Sequence, residues 1–225
     1  MIGLKVLKRR RAVPVELALQ FIDVPVSNVS DCMSRLFAGG ARLRPMHSGI
    51  PMSGPALTVR TRPGDNLMIH KALQMAAPGD IIVVDAGGDL TNAVIGDLLV
   101  GIAIQRGLGG FVINGAIRDA RAVREGNFPI FAAGVTHRGS YKNGPGEINV
   151  PIAIDGMVIE PGDLIIGDDD GVLCVPFDHV KSVLAAARKK AGAEAVMAKA
   201  IAAGKLDTAW IDATLNQLGC EIEAQ

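Results

Sequence analysis

The apolar positions in the first two thirds of the chain form short runs that predict the strands of a buried sheet. Residues 81–88 (IIVVDAGG) and 109–119 (GGFVINGAIRD) are apolar almost throughout, as is typical of strands covered on both faces. Residues 128–139 (FPIFAAGVTHRG) continue this pattern. Residues 54–65 (GPALTVRTRPGD) alternate apolar and polar positions, which predicts a strand that stops at the Pro-Gly turn in that segment.

Two segments near these strands have the apolar spacing of a helix. Residues 66–77 (NLMIHKALQMAA) predict a helix that Asp65 caps. In residues 24–37 (VPVSNVSDCMSRLF) we expect Ser27 or Ser30 to act as the helix cap before an apolar run.

A further helix is predicted from about residue 92 to residue 106, directly before the strand at 109–119. The apolar stripe of this helix consists of Ile95, Leu98, Leu99 and Ile102. Asp97 falls off the stripe, so its side chain need not point into the core.

The pattern changes in the last third of the chain. Residues 148–176 contain four brief β-rich runs separated by Asp-Gly, Pro-Gly-Asp and Asp-Asp-Gly turns, which are typical of antiparallel strands. Residues 177–205 predict a long Ala- and Lys-rich helix that ends near Gly204, and residues 207–219 predict a short helical tail. Since no linker separates these parts, we predict one α/β domain over residues 1–225, with a helical extension from about 177 to 225.

Composition narrows the classes of function. Hydrophobic residues make up 49% of the chain and aromatic residues only 4%, so aliphatic side chains must build the core. Basic and acidic residues balance at 23 each, which argues against nucleic acid or a membrane surface as the partner. No apolar run approaches the roughly 18 residues that a membrane span needs. Three scattered cysteines, an odd number, favour small buried thiols in a reducing cytoplasm over disulfides or a zinc site.

The segment 96–121 carries the candidate chemistry. Asp97 lies at or just before the first turn of a predicted helix, where backbone N–H groups lack partners within the helix. Such amides bind a carboxylate or phosphate well, and Gly96 has no side chain to block the ligand. The alternative is that Asp97 merely suits a helix N-terminus.

Arg118 and Asp119 follow a predicted buried strand. Ligands of open α/β sheets bind beyond the carboxyl ends of strands. The guanidinium of Arg118 suits a carboxylate or enolate oxygen, and the carboxylate of Asp119 suits Mg²⁺ or Mn²⁺. The alternative is a surface ion pair, which contributes little to stability.

Three other polar groups have two interpretations each. Asp31 caps a helix or lines a pocket, and His137 with Arg138 belongs to a loop or selects the distal group of a substrate. The acidic residues 168–170 form a turn with solvated carboxylates or hold a cation.

The spacing of Asp97 and the Arg118-Asp119 pair resembles the signature of an established family. Further matching segments are VSDCM, GPALTV, PGDIIVVDAGG, GDLLVGIAIQRGLGGFVINGAIRD and IAIDGMVIEPGDLIIGDDDGVLCVP. The chain resembles the RraA-like family, named after the regulator of ribonuclease activity A. Within it, the chain is similar to the 4-hydroxy-4-methyl-2-oxoglutarate aldolases, which are class II pyruvate aldolases. The resemblance implies a three-layer β/β/α swivelling domain, assembled as a trimer or hexamer.

The resemblance also implies roles for individual residues. Asp119 would ligate a divalent metal, Mg²⁺ or Mn²⁺, and Asp97 would reach that metal through water. Arg118 would contact the keto oxygen of the substrate. The backbone amides of Gly96, Asp97, Leu98 and Leu99 would take the substrate carboxylate. Glu194, from the C-terminal helix of a neighbouring subunit, would complete the outer shell of the metal.

The activity implied by the resemblance is metal-dependent cleavage of a 4-hydroxy-2-oxoacid to pyruvate and a second oxoacid. The substrate would be of the 4-hydroxy-4-methyl-2-oxoglutarate or 4-carboxy-4-hydroxy-2-oxoadipate type, and oxaloacetate decarboxylation would pass through the same enolate. The alternative is a non-catalytic regulator that binds an RNA-degrading enzyme. A methyltransferase or an NAD enzyme fits poorly, because a glycine after a strand is a weak signal and the second half of the chain is β-rich.

Overall fold

The computed structural model describes residues 3–37 and 39–222. The chain divides into two compact units, residues 1–187 and residues 188–225. The last three residues of the predicted C-terminal extension lie outside the described residues, and the assignment of the whole chain to one domain stays a prediction. Within the described ranges, no helix has both the length and the apolar composition that crossing a membrane requires.

The strands and helices alternate in the first part of the chain and separate later. The strands are β1 Leu4–Val6, β2 Arg44–Pro45, β3 Met52–Thr61, β4 Ile81–Asp85, β5 Ala93–Ile95, β6 Gly110–Ile117, β7 Ile130–Val135, β8 Gly146–Ile148, β9 Ile152–Ile154, β10 Met157–Ile159, β11 Leu164–Asp168 and β12 Gly171–Val175. The helices are α1 Val15–Ala18, α2 Val26–Cys32, α3 Leu67–Met75, α4 Asp97–Gln105, α5 Ala120–Gly126, α6 Val180–Ala202 and α7 Ala209–Gln217, with 3-10 turns at Leu19–Phe21 and Phe177–His179.

The four strands predicted as a buried sheet, β3, β4, β6 and β7, pair in that order and run parallel. All eight residues of β6 are buried, which confirms the prediction from its apolar run. Shorter strands complete the sheet. β8 pairs antiparallel with β3, β1 pairs parallel with β8, and β2 pairs antiparallel with β7.

A second layer consists of the four brief runs, which form two antiparallel hairpins as expected. β9 pairs with β10 across a two-residue turn, in which Asp155 and Gly156 both have positive φ, 49° and 88°. This is the backbone that an Asp-Gly hairpin turn requires. β11 pairs with β12 and also with β3, which joins the second layer to the first.

Alternate side chains of each strand enter different apolar cores. Ile82 and Val84 of β4 face a core that includes residues of α3, α4 and α5, whereas Ile81 and Val83 face the second β layer. The side chains of β11 and β12 also alternate. One set faces the main sheet, and the other faces α1, α2 and the start of α6. The predicted α/β fold, with two β layers and a helical layer, is therefore confirmed, and helices also cover the outer face of the second β layer.

The helix predicted from 92 to 106 is wrong at its start. Residues 93–95 form β5, and α4 begins only at Asp97. The main sheet explains the difference, because β4 pairs with β6 only as far as Asn114 and leaves the end of β6 open for β5. The predicted stripe is confirmed for Ile95 and Leu99, which are buried, and wrong for its other two residues. Leu98 and Ile102 are 74% and 44% exposed, while the residues of α4 that are buried are Leu99, Val100 and Ala103.

The cap predicted for α2 is also wrong. Neither serine caps this helix, and Pro25 precedes its first residue. The N–H of Val26 donates instead to Oδ2 of Asp168, 2.9 Å away, at the end of β11. A distant carboxylate thus takes the place of the local cap. For α3, the expected cap is present, since the N–H of Leu67 donates to Oδ1 of Asp65 at 2.9 Å.

The unit at residues 188–225 contains most of α6 and all of α7, and confirms the helices predicted there. Gly204 has φ +66° and ends α6 as a left-handed glycine. Glu194 pairs with Lys190, one turn earlier, at 2.8 Å. The thiols differ in burial. Cys174 is buried, Cys32 is partly buried and Cys220 is exposed. The predicted burial is therefore confirmed for Cys174 alone among the three cysteines.

Candidate active site

The pairing of β5 with β6 brings the two charged ends of the segment 97–119 together. β5 leads into Gly96 and Asp97, and β6 leads into Arg118. The N–H of Arg118 donates to the carbonyl of Ile95 at 3.0 Å, so the two chain ends lie side by side. Asp97 and Arg118, which 20 intervening residues separate in sequence, therefore form one site beyond the carboxyl end of a buried strand, where ligands of α/β sheets bind.

The carboxylate of Asp119 lies at the centre of this site. Its Oδ2 accepts a hydrogen bond from the N–H of Asp97 at 3.2 Å and lies 3.4 Å from Nε of Arg118. Arg118 and Asp119 remain 44% and 36% exposed. Among the described residues, nothing donates a hydrogen bond to Oδ1 of Asp119. One oxygen of this carboxylate is thus held by the protein, and the other is available to a ligand.

The backbone of Asp119 is in the left-handed region, with φ 58° and ψ 37°. This conformation is uncommon for residues other than glycine, although aspartate tolerates it better than most. Asp119 precedes the first residue of α5, yet its side chain makes no capping hydrogen bond to that helix. The carboxylate turns towards α4 and Arg118 and does not cap α5. An uncommon backbone conformation of this kind is found at functional sites.

The first amides of α4 already bind carboxylates of the chain. The N–H of Asp97 donates to Asp119, and the N–H of Leu98 donates to Oδ1 of Asp97 at 2.7 Å. The N–H of Leu99 donates to the carbonyl of Gly96 at 3.1 Å. Two of these amides thus already have carboxylate partners within the chain, and a substrate carboxylate that used the amide of Leu98 would displace the side chain of Asp97 from it. The binding of a substrate carboxylate at this helix end stays a prediction.

Gly96 lacks a side chain for a steric reason. Its φ of −150° is accessible to any residue. A Cβ at this position would overlap Oδ2 of Asp119 and would lie 3.0 Å from Cγ and Nε of Arg118. Glycine at this position therefore allows the carboxylate and the guanidinium to approach the start of α4.

A cavity of about 290 Å³ opens above these groups, lined by Arg118, Asp119, Val135, Thr136 and His137. His137 belongs to a loop, as expected, and also lines the cavity, whereas its selection of the distal group of a substrate stays a prediction. Thr136 is a lining residue that the sequence analysis missed. The feature that could have identified Thr136 is its position directly after the carboxyl end of β7, the strand beside β6. A larger cavity, of about 590 Å³, lies along residues 7–11 and shares no residue with this site.

The donor set fits a hard divalent cation held by few protein ligands. Within residues 3–37 and 39–222, no group of three or more His, Cys, Asp or Glu side chains comes together. A cation would therefore rely on Oδ1 of Asp119, with Asp97 nearby. Mg²⁺ commonly binds through one or two carboxylates and keeps several waters. Glu194 lies in the unit at residues 188–225, and its role in the outer shell of the metal stays a prediction.

The other acidic candidates lie in structural contacts. Asp31 pairs with Arg35 at 2.7 Å, one turn further along the chain, and does not line the cavity. In the turn 168–170, Oδ1 of Asp168 accepts the N–H of Asp170 at 2.9 Å, and Oδ2 accepts the N–H of Val26. The carboxylate of Asp168 is thus engaged by the backbone, whereas Asp169 and Asp170 are exposed, as expected for a turn with solvated carboxylates.

Comparison with known proteins agrees with this geometry. Residues 26–174 match the family model described as RraA-like, Aldolase/RraA. A protein of Halalkalibacterium halodurans, provisionally named 4-hydroxy-4-methyl-2-oxoglutarate aldolase, is 43% identical over 83% of this chain and 89% of its own length. The 4-hydroxy-4-methyl-2-oxoglutarate aldolase of Thermus thermophilus is 36% identical over 50% of this chain and 68% of its own length.

A solved structure extends the likeness to the fold. The Streptomyces coelicolor protein RraAS2, described as an unusual member of the RNase ES inhibitor RraA family, superposes with a TM-score of 0.74 at 28% identity. The match covers 83% of this chain and 97% of that protein. The named homologues support an aldolase, and hence a lyase, at the level of the family, in which RraA regulators also occur. The family model, the extent of sequence identity and the shared fold together show that this chain belongs to the RraA-like family.

Proposed function

We propose that this protein is a divalent-metal-dependent pyruvate aldolase that cleaves 4-hydroxy-2-oxoacids of the 4-hydroxy-4-methyl-2-oxoglutarate or 4-carboxy-4-hydroxy-2-oxoadipate type. The observation that carries the proposal is the contact of Asp119 with both Arg118 and the first amide of α4, beside an open cavity. These groups combine a site for a hard cation, a fixed positive charge and backbone donors within one small volume.

Binding of the reacting end of the substrate uses Arg118 and the start of α4. A 2-oxoacid presents a carboxylate and an adjacent keto oxygen. The guanidinium of Arg118 donates to the keto oxygen. The amides that now donate to carboxylates of the chain donate to the substrate carboxylate instead. The oxoacid group is then held at two points, which fixes the bond between C3 and C4 relative to Asp97.

Cleavage breaks the C3–C4 bond and leaves its electron pair as the enolate of pyruvate. A divalent cation at Asp119 supplies, when bound, a Lewis acid for the charge that develops on the C2 oxygen. Arg118 stabilises the same oxygen with a charged donor placed in advance of the reaction. Oxaloacetate decarboxylation passes through the same enolate and is expected as a second activity.

Asp97 is the candidate base for the proton of the C4 hydroxyl. Its Oδ1 accepts the N–H of Leu98, whereas among the described residues nothing donates to its Oδ2. When the substrate carboxylate takes the amide of Leu98, the carboxylate of Asp97 is released from that bond and takes up the hydroxyl proton, directly or through one water molecule. A carbonyl group forms at C4 as the C3–C4 bond breaks, and pyruvate results when C3 of the enolate receives a proton.

A second copy of the chain next to the site is part of the proposal. Leu98, Gly101 and Ile102, together with Gln105, form one exposed face of α4, at the spacing of a single helical stripe. The two large apolar side chains on this face, Leu98 and Ile102, lie one and five residues after Asp97. Burying them against a neighbouring subunit favours a trimer or hexamer, in which Glu194 of another copy would reach the metal site.

A pyruvate-release assay tests the function. The protein, supplied with Mn²⁺ or Mg²⁺, is offered a panel of 4-hydroxy-2-oxoacids and oxaloacetate, with and without a chelator. We expect metal-dependent release of pyruvate from at least one dicarboxylic member. Arg118→Ala and Asp119→Ala are expected to abolish release, while the exposed Arg121→Ala on α5 serves as a matched control that keeps it.

Folding of the variants is followed by circular dichroism and by their elution in gel filtration. If the wild-type protein releases no pyruvate from any member of the panel, the proposal is overturned. The RraA-like regulator, which binds an RNA-degrading enzyme, then becomes the function to test.

A further inference from the structure

One wall of the cavity comes from the end of β7 and consists of Val135, Thr136 and His137. Arg118 and Asp119, which follow β6, line the rest. In the proposed function, Arg118, Asp119 and the start of α4 hold the oxoacid end of the substrate. Among the described residues of this chain, the wall from β7 is the remaining part of the lining, and it is therefore the part of this subunit that the substituents on C4 can face.

The backbone of this wall is anchored at several points. The N–H of Thr136 donates to the carbonyl of Ile117 at 2.9 Å, and the carbonyl of Arg138 accepts the N–H of Ala93 at 2.8 Å. The side chain of Asn92 donates to the carbonyl of Gly139. The loop is thus tied to β6 and to the segment around β5, the same elements that position Arg118 and Asp97. A side chain on this loop has a defined position relative to the site.

His137 is the one residue of this wall with a ring N–H to offer. Among the described residues, its imidazole makes no hydrogen bond and no ion pair, so its donors remain available to a ligand. Val135 is apolar. The hydroxyl of Thr136 lies 3.5 Å from the N–H of Arg138, within the loop itself.

We propose that His137 is a specificity-determining residue whose imidazole donates a hydrogen bond to a carboxylate carried on C4 of the substrate. The inference rests on the proposed function and deepens it, because it assigns the recognition of the second carboxylate to a particular side chain. An imidazole donates to a carboxylate in both its neutral and its protonated form. The protein therefore selects dicarboxylic 4-hydroxy-2-oxoacids over those with an alkyl group at the same position.

Arg138 provides a matched control on the same loop. Its side chain adds a positive charge one residue further along, but it does not line the cavity. A general electrostatic attraction of dianions would depend on Arg138 at least as much as on His137. A direct hydrogen bond from the wall depends on His137 alone.

The test uses two unreactive acids that differ only in the distal group. 2-Oxoglutarate carries a carboxylate on C4, and 2-oxopentanoate carries a methyl group in its place. Binding of each acid to the wild-type protein, His137→Ala, His137→Gln and Arg138→Ala is measured by calorimetry in the presence of Mg²⁺. Pyruvate release from 4-hydroxy-4-methyl-2-oxoglutarate is followed in parallel.

We expect His137→Ala to weaken binding of 2-oxoglutarate about tenfold or more, as the loss of a hydrogen bond to a charged group does. Binding of 2-oxopentanoate should change less than about twofold, because that acid offers no charged acceptor. His137→Gln keeps an N–H donor and is expected to retain part of the preference. Arg138→Ala is expected to leave the ratio of the two affinities unchanged.

Equal losses for both acids in His137→Ala, no loss for either, or a selective loss in Arg138→Ala would overturn the inference. If the wild-type protein releases pyruvate while His137→Ala keeps its full preference for 2-oxoglutarate, this inference fails and the proposed function stands. If the wild-type protein binds neither acid and releases no pyruvate, both fail.

Discussion

Two acidic turns of this protein place their carboxylates in opposite settings. Asp119 follows the parallel strand β6, and Asp168 ends β11 within an antiparallel hairpin. Both oxygens of Asp168 accept backbone N–H groups, one of them from the first residue of α2. One oxygen of Asp119 has no hydrogen bond to a described residue, and Asp119 and Arg118 line the same cavity.

The difference follows from strand direction. Neighbouring parallel strands end at the same edge of a sheet, so several chain ends converge there and leave a depression between them. A hairpin turn joins only its own two strands, and its polar groups are close enough to satisfy one another or a neighbouring helix end. In this protein, the parallel edge leaves Asp119 available for chemistry, whereas the hairpin engages Asp168 in structural hydrogen bonds.

The largest effect that tests this contrast is on activity. Asp119→Asn is expected to reduce the rate of pyruvate release about a thousandfold, because it removes the charge that would hold the cation. Asp168→Asn is expected to keep the rate within about twofold of the wild-type value, since an amide oxygen still accepts one backbone bond. Initial rates at saturating Mn²⁺ measure both, and comparable losses in the two variants would contradict the contrast.

A smaller loss of activity is expected at Gly96. In Gly96→Ala the added methyl group overlaps Asp119 and crowds Arg118, so we expect the rate to fall by about tenfold to a hundredfold, as with misplacement of reacting groups. Gly126→Ala in α5 is the control, because a Cβ there meets open space and the residue lies outside the proposed subunit contact. That variant should keep its activity and gain up to about 1 kcal/mol in unfolding free energy from helix propensity. Activity in Gly96→Ala equal to that of Gly126→Ala would disprove the steric role.

The structural side of the comparison is tested by stability. Asp168→Ala removes the carboxylate that accepts the first N–H of α2, so the free energy of unfolding should fall by about 1 kcal/mol, a typical value for a lost cap. Ser27→Ala, at the residue that the sequence suggested as the cap, should change it by less than about 0.5 kcal/mol. Urea unfolding followed by circular dichroism measures both. A larger loss of unfolding free energy in Ser27→Ala than in Asp168→Ala would indicate that Ser27, and not Asp168, caps α2.

The smallest effect concerns Asp163, the acid directly before β11. Its carboxylate accepts the N–H groups of Glu160 and Phe177, and burial raises its pKa above the ordinary value of 3.8. Because the folded state then holds a proton that the unfolded state has already released, stability should fall as the pH rises from 3.8 through the raised pKa. Asp163→Asn should lack this slope, and an identical slope in urea titrations of both proteins would contradict the assignment.

The sequence was most informative where short apolar runs were buried on both faces. The runs that became β4 and β6 are apolar because each face meets a different core, and this double burial leaves a signal that needs no knowledge of the partners. Asp97, Arg118 and Asp119 were predicted as one site, and the structure brings them together.

Local patterns were least informative where a distant partner decides the conformation. Residues 93–95 have a helical apolar spacing but pair with the open end of β6 as β5. The N-terminus of α2 is capped from β11, more than a hundred residues away in sequence. Strands β1 and β2, of three and two residues, were missed because pairing alone defines elements so short.

The amino-acid sequence by itself determined the order of α/β units and hairpins, the apolar core and the identity of the charged residues at the end of β6, because these depend on side-chain chemistry and periodicity along the chain. Only the tertiary structure decided which backbone amide donates to Asp119 and that the backbone of Asp119 is left-handed. It also decided that Thr136 and His137 line the same cavity as Asp119. Those features depend on contacts between segments far apart in the chain, and contacts of that kind leave no periodic trace in either segment.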